Sequence, residues 1–404
     1  MDFTNTEHLD RLPKGRVLHV IYSMKQGGAE RLLLDDVVAQ ESPGDGQGEF
    51  PGLVVCWNHE GILAEQLRTA GVPYLVLDRR LRPIWKLPLF LSDLRTLVSS
   101  IRKIATITQA PIIHGHLIDS TLLAALASNG KTTKSVTTIY SNHVIPMSIP
   151  KGGAKYAIWN AIARWSLKRV DRVVSISTDV TQTLVKGFGV PEENLIERPI
   201  SVEAVTLTRS APEARALFDV ADNELCLAFV GRLVENKNQA CLIRMVGILR
   251  SRGVPVRLLL VGDGPDKDML SQTAREHDVA DHVRLLGHYK DLPAVMAACD
   301  IFVTASKSEG VSLALLEAMS AEVPIVSTNN EGNSDLLKDG IGTLVTGTTD
   351  TALADAVEAL WRDDTARSRQ VATAKAFFDT YRRASVEAGG SNFVYRDVLS
   401  MGPA

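Results

Sequence analysis

The chain has 404 residues, 45% hydrophobic and 23% charged, with a formal charge of −3, a balance that fits a soluble globular protein of two or three domains with a large core. Four scattered cysteines, Cys56, Cys226, Cys241 and Cys299, form no C-x-x-C pair, which favours buried thiols in a reducing cytoplasm over a disulfide framework or a zinc site. The acidic, polar opening MDFTNTEHLDRLPKG lacks the regions of a secretion signal, and no apolar run approaches the ~18 residues of a spanning helix.

Charge is unevenly spread: residues 1–205 carry 23 Lys+Arg against 20 Asp+Glu, and residues 206–404 carry 21 against 27. Short β-rich apolar runs alternate with longer amphipathic stretches, the pattern of βα units and parallel sheets. The first series of expected strands is 16–22, 52–57, 74–78, 111–116, 136–141 and 172–177. A second series begins afresh at 225–232 and continues at 256–262, 282–287, 301–306 and 324–328. Each series opens with a strand, a glycine-containing turn and a helix, so the chain reads as two Rossmann-like domains with a linker near ERPISVEAV (197–205). The tail after about 370 is helical in pattern, with Phe393, Tyr395 and Val398 as apolar anchors.

Several motifs carry chemistry. Gly27 and Gly28 fall in the first βα turn, where a missing Cβ lets backbone approach a diphosphate and a helix N-terminus offers free N–H groups. His114 and His116 alternate with Gly115 at a strand end, so both rings face one way. Arg232 and Lys237 follow the first strand of the second series, and a guanidinium and an ammonium on one loop suit a pyrophosphate that gains charge as its bond breaks. In SEGVSLALLEAM (308–319), Glu309 and Glu317 have seven residues between them. Eight helical rises make roughly 12 Å, beyond the roughly 5–9.5 Å of a glycosidase's paired carboxyls. They suit two ends of one long ligand, a sugar and a ribose joined through a diphosphate, with the helix N-terminus between them. Asp266-Lys267-Asp268 sits at an expected helix start after a Gly-Pro turn and reads as first-turn acids rather than a metal site.

Taken in order, GGAE (27–30), HGH (114–116), SIS (175–177), GRL with Lys237 five residues after its arginine, VGDGP (261–265) and SEGVSLALLEAM resemble the signatures of the retaining glycosyltransferases of family 4. The resemblance spans residues 16 to about 335. It implies the GT-B fold, two Rossmann-like domains facing across a deep cleft: an acceptor-binding domain over 1–203, a nucleotide-sugar-binding domain over 204–385, and a terminal helix at 386–404 crossing back to the first. It implies a cytoplasmic hexosyltransferase that uses a nucleotide diphosphate sugar, UDP-sugar ahead of GDP-sugar, and a glycan or lipid-linked acceptor, in bacterial surface or extracellular polysaccharide synthesis. His116 would contact the donor sugar, Arg232 and Lys237 the leaving diphosphate, Glu309 the sugar hydroxyls and Glu317 the ribose. The N–H groups of Val311, Ser312 and Leu313 would meet the phosphates, while Gly262, His288 and Tyr289 lie on loops expected to border the nucleobase. No metal or other cofactor and no nucleic-acid partner is expected. His114 and His143 read as structural.

The pattern also has departures. ERPISVEA replaces an Asn-Gly-Val-Asp-like hinge turn, Glu322-Val323-Pro324 replaces a Gly before the late proline, and Asp335 stands for a late glutamate. Competing readings are a GT-B epimerase or phosphorylase, against which the intact Glu309-x7-Glu317 with GRL and Lys237 and the lack of a lysine motif suited to pyridoxal phosphate argue, and a non-catalytic sugar-nucleotide-binding subunit, against which the full set His116, Arg232, Lys237, Glu309 and Glu317 argues. Two basic, aromatic stretches, 79–88 and 155–169, suit peripheral membrane contact at the inner face, although Ile158, Ile162 and Trp165 at helical spacing equally describe a core-facing stripe.

Overall fold

The structure, a computed structural model, describes residues 2–3, 12–25, 27–41, 49–141, 144–145, 149, 152–347, 349–387 and 390–401. It forms two compact units, Met1–Ser201 with Ser385–Ala404, and Val202–Ala384. His143 lies outside the described residues.

In the first unit the strands are β1 (Asp2–Phe3), β2 (Val17–Ser23), β3 (Gly52–His59), β4 (Tyr74–Val76), β5 (Ile112–His116), β6 (Lys134–Ile139), β7 (Arg172–Ser175) and β8 (Leu195–Glu197). They form one parallel sheet in the order β1-β4-β3-β2-β5-β6-β7-β8. Its helices are α1 (Gly28–Glu41), α2 (Ala64–Thr69), α3 (Leu87–Ile107), α4 (Leu117–Ala127), α5 (Ala154–Arg169) and α6 (Thr178–Gln182). The pleat sends Leu18 and Val20 into a cluster with Leu97 and Ile101 of α3 and Leu123 of α4, and Ile21 into another with Leu33 and Val37 of α1. That alternation explains why β2 is apolar almost throughout: a parallel strand covered on both faces has no solvent side.

The second unit carries β9 (Leu225–Val230), β10 (Val256–Val261), β11 (Val283–Gly287), β12 (Ile301–Thr304), β13 (Ile325–Thr328) and β14 (Thr343–Val345) in the parallel order β11-β10-β9-β12-β13-β14. Its helices are α7 (Ala211–Leu217), α8 (Gln239–Ser251), α9 (Lys267–Glu276), α10 (Leu292–Ala298), α11 (Leu313–Ser320), α12 (Glu331–Leu337), α13 (Asp350–Arg362) and the start of α14 (Asp364–Glu387). Leu227, Phe229, Leu258, Leu260, Val246 and Val357 belong to one buried cluster of this unit. Apart from the two-residue edge strand β1, which lies outside β4, the order reverses once in each sheet, between β2 and β5 and between β9 and β12. A doubly wound sheet binds ligands at the carboxyl ends of the strands flanking such a reversal.

A last helix, α15 (Gly390–Ser400), belongs to the first unit. Val394, Tyr395 and Val398 pack with Val17, Ile112, Val136 and Val174, and Arg172 binds Asp397 at 2.7 Å. Among the described residues no helix is long and apolar enough to cross a membrane.

At Glu322 the sequence departs from the glycine of the family pattern, yet its φ is +60°. Here α11 ends: Glu322 N–H donates to Met319 O at 3.2 Å and Val323 N–H to Ala318 O at 3.0 Å, the left-handed ending that glycine fills most cheaply.

Candidate active site

In the first unit β2 leads through Gly27 into α1, whose opening turn is closed by Arg31 N–H on Gly27 O at 3.0 Å. A Cβ at Gly27 would lie 2.2 Å from a Glu30 carboxylate oxygen, whereas one at Gly28 would meet nothing within 4 Å. Glu30 therefore folds back over the turn, and Gly28 stays exposed at its rim.

Across the sheet reversal β5 ends at His116. A Cβ at Gly115 would fall 2.6 Å from Ser120 O, so only glycine lets the first turn of α4 lie against the strand. Leu117 then takes φ +68°, a conformation costing a branched side chain on the order of 1–2 kcal/mol. The register sets His19 beside His114, and the three imidazoles stack: His114 on His116 with centroids 4.3 Å apart at 28°, His19 on His116 at 5.3 Å and 21°.

Every ring nitrogen of His114 and His116 is engaged. His114 Nδ1 meets Tyr395 Oη and Nε2 meets Thr138 Oγ1, both at 2.8 Å. His116 Nδ1 meets Tyr140 Oη at 2.7 Å and Nε2 meets His19 Nδ1 at 3.0 Å. Burial holds His19 down at about 4, against the opposing pull of Asp36. His114 and His116 lie well below the ordinary histidine value, through burial first and mutual repulsion second. All three are neutral at neutral pH. Their nitrogens approach one another within 4.8 Å, but a bound ion lies in the plane of each imidazole, and rings stacked this nearly parallel do not converge on one point. The stack holds two separate hydrogen-bonded runs, His19–His116–Tyr140 and Thr138–His114–Tyr395, the second anchored on α15 through Tyr395.

Sequence reasoning missed His19, which reaches His116 from β2, and Tyr140, which reaches it from just beyond the end of β6. The one available signal was a histidine inside an otherwise apolar strand. It also passed over Asp119, half-buried in the first turn of α4, without a partner among the described residues, and pushed up to about 6 by burial.

In the second unit the loop after β9 and the loop after β12 are tied together. Asn236 Nδ2 donates to Ser308 O and Lys307 N–H to Asn236 O, both at 2.8 Å. Lys237 closes a short 3-10 turn, Glu235–Lys237, and its ammonium pairs with Glu309. Two residues assigned separate duties from sequence are thus direct partners. Arg232 carries an exposed guanidinium with no side-chain partner among the described residues, while its carbonyl accepts from Gln239 Nε2 at 2.7 Å.

Ser312 caps α11 in extended conformation without a side-chain bond. Leu315 and Leu316 N–H both point at Ser312 O, which leaves the N–H groups of Leu313 and Ala314 without helical acceptors. Val311, Ser312 and Leu313 are half-buried, as is Glu317 further along α11. The backbone of Glu309 and Gly310 is pressed by α12: a Cβ on Gly332 would come 2.1 Å from Gly310 O.

Gly262 sits where three loops meet. Its N–H donates to Gly287 O at 2.8 Å, and a Cβ would fall 1.9 Å from Gly231 O. His288 is exposed and lies 3.8 Å from the Asp263 carboxylate. Tyr289 turns its ring edge to buried Phe218 at 5.4 Å. Asp266 is the N-cap and Asp268 a first-turn residue of α9.

Each sheet thus brings its predicted residues to the carboxyl ends flanking its reversal: Gly27, Gly28 and His116 in the first unit, Arg232, Lys237, Glu309 and the start of α11 in the second. Residues 53–200 match the family model described as Glycosyltransferase Family 4, and residues 211–377 that of glycosyl transferases group 1. The chain is 33% identical over 156 residues to the lipopolysaccharide core biosynthesis glycosyltransferase LpsE of Rhizobium meliloti (strain 1021), covering 38% of this chain and 45% of that protein. It is 30% identical over 220 residues to the GDP-mannose-dependent alpha-(1-6)-phosphatidylinositol monomannoside mannosyltransferase of Mycolicibacterium smegmatis (strain ATCC 700084 / mc(2)155), covering 50% of this chain and 57% of that one. For three of the relatives it matches, the matched stretch spans 64%, 45% and 32% of their own length. The solved structure of Anabaena Alr3699/HepE in complex with UDP and glucose superimposes with a TM-score of 0.76 over 96% of this chain and 100% of that chain, at 20% identity. The chain belongs to the group 1 glycosyltransferases of family 4, with the two Rossmann-like domains of the GT-B fold.

Proposed function

We propose that the protein is a retaining hexosyltransferase that takes a hexose from a nucleotide diphosphate sugar, UDP-linked ahead of GDP-linked, and passes it to a glycan or lipid-linked acceptor on the cytoplasmic side, in the making of a bacterial surface or extracellular polysaccharide. The observation that carries this reading is the cation pair at the reversal of the second sheet. Among the described residues Arg232 is exposed without a side-chain partner and Lys237 is balanced only by Glu309, beside a helix start with spare N–H groups. Such a place favours a dianionic diphosphate most strongly when the sugar–oxygen bond breaks.

In the proposed reaction the bond from the anomeric carbon to the diphosphate oxygen breaks, and the acceptor oxygen bonds to the same face. The acceptor proton passes to the departing diphosphate, whose charge Arg232 and Lys237 hold. Glu309, tied to Lys237, is assigned to the sugar hydroxyls rather than to nucleophilic attack, and Glu317 to the ribose. In the first unit a sugar contact at His116 requires the ligand to replace Tyr140, its half-buried partner. No metal is assigned, since Asp266 and Asp268 serve as α9 start residues and the cations meet the phosphate charge. GDP-mannose in the name of one relative and UDP with glucose in one solved structure support a nucleotide sugar donor.

The test is proton magnetic resonance of the product formed from an α-linked donor. An α-anomeric coupling is expected; a β-linked product would overturn the retaining assignment.

A further inference from the structure

The first unit carries a second surface, of a chemistry unlike the strand-end site. On α5 the exposed residues Ala154, Ile158, Ala161 and Trp165 recur at helical spacing, with Ile158 44% and Trp165 46% exposed. The opposite face, Trp159, Ala163, Ser166 and Leu167, is buried. Of the expected stripe Ile158, Ile162 and Trp165, the first and last therefore face solvent and Ile162 is half-buried, while the core takes the opposite face. Lys155, Arg164, Lys168 and Arg169 are exposed around the stripe, and α5 contains no acid.

The stretch that runs into α3 and through its first turns repeats this chemistry. Trp85 is 52%, Leu87 53%, Leu89 42% and Leu91 41% exposed, among exposed Arg79, Arg80 and Lys86. The two segments adjoin, because Lys155 Nζ lies 4.3 Å from the Trp85 ring centroid. Six of the fourteen exposed large hydrophobic side chains among the described residues fall on these two segments. Single exposed apolar residues need no explanation, but a cluster does.

We propose that this surface docks the protein on a bilayer containing anionic lipid, with Trp85, Trp165, Ile158 and Leu87 at the headgroup level and the surrounding cations on lipid phosphates. Indole rings prefer that interface, and lysine and arginine reach from it to anionic headgroups. A second copy of the chain is a poor occupant, since it would set like charges against one another. Nucleic acid is a poorer one, because Leu87, Leu89, Leu91 and Ile158 offer no ring on which a base can stack. The docking goes beyond the proposed sugar transfer and does not depend on which sugar moves.

Flotation of the full-length protein with vesicles tests it. Vesicles of phosphatidylcholine with about one third phosphatidylglycerol should bind roughly tenfold more tightly than phosphatidylcholine alone, and high salt should erase the difference. Replacing both tryptophans, Trp85→Ser with Trp165→Ser, should cost roughly tenfold, and Arg164→Ala about fivefold. All these side chains are exposed, so melting temperature and nucleotide binding by the second unit should stay unchanged and report folding independently. Equal binding to both vesicles, no binding to either, or burial of Trp165 in a dimer by sedimentation and fluorescence would overturn the proposal.

Discussion

Removing the Lys237 ammonium perturbs two things at once, and the geometry separates them. The Lys237 side chain is 22% and that of Glu309 12% exposed. Their pair thus lies between the exposed limit of about 0.2–1 kcal/mol and the about 3–5 kcal/mol lost when one partner of a buried pair is deleted. Lys237→Ala should therefore lower the stability of the second unit by about 1–3 kcal/mol, through the stranded Glu309 carboxylate. Its effect on turnover should be larger and separate: loss of one preorganised charge facing the leaving group commonly costs about 3–4 kcal/mol of barrier, a factor of roughly 10²–10³ in kcat. Adding Glu309→Gln removes the stranded charge, so the double variant should regain stability while turnover stays low. Thermal melts, donor calorimetry and steady-state kinetics on the four proteins of the cycle measure both parts. A Lys237→Ala enzyme with wild-type kcat and only a raised KM would refute the transition-state role. A double variant no more stable than Lys237→Ala would refute the account of the pair.

Two further outcomes follow from backbone and burial. His19 sits at about 4 when folded against about 6.5 unfolded, so the unfolded chain takes up the proton first as pH falls. Stability is full above about 6.5 and is lost on the way down to about 4, by about 3 kcal/mol from His19 alone, with His114 and His116 acting in the same direction; denaturant midpoints that stay flat from pH 7 to pH 5 would contradict the neutral stack. Glu322→Gly, at φ +60°, should stabilise the second unit by about 1 kcal/mol, and a lowered melting temperature would show that Glu322 makes a compensating contact.

Much of the architecture was legible because parallel strands covered on both faces leave an uninterrupted apolar signature. All eleven expected strands correspond to strands of the two sheets, with ends shifted by one or two residues. The strands not read were Asp2–Phe3, Leu195–Glu197 and Thr343–Val345, two or three residues long, and Leu195–Glu197 borders the stretch read as linker. Such edge pieces exist because a neighbouring strand offers hydrogen bonds, not because of local propensity. In the site, Gly27, Arg232, Lys237 and Glu309 could be placed because a βα turn fixes its residues by sequence distance. The Lys237–Glu309 pair joins residues 72 apart and His19 meets His116 across 97, and no periodicity encodes such contacts. The facing of α5 was ambiguous for another reason: its apolar residues occupy both sides of the helix, and the tertiary neighbours, α4 and the turn at Thr183–Phe188, decide which side is covered.

The central claim, that the second unit holds a nucleotide diphosphate sugar with Glu317 at the nucleoside end and Glu309 at the hexose end, is tested most directly by calorimetric titration in chelator. UDP and GDP and their hexose conjugates would be titrated into the wild type, Glu309→Gln and Glu317→Gln. A charged acceptor strengthens a hydrogen bond that the isosteric amide weakens. The account predicts that UDP or GDP binds without a divalent ion. Glu317→Gln should weaken the free nucleotide and its sugar alike, whereas Glu309→Gln should spare the free nucleotide. Binding of neither nucleotide, or equal loss of the plain nucleotide in both variants, would contradict it.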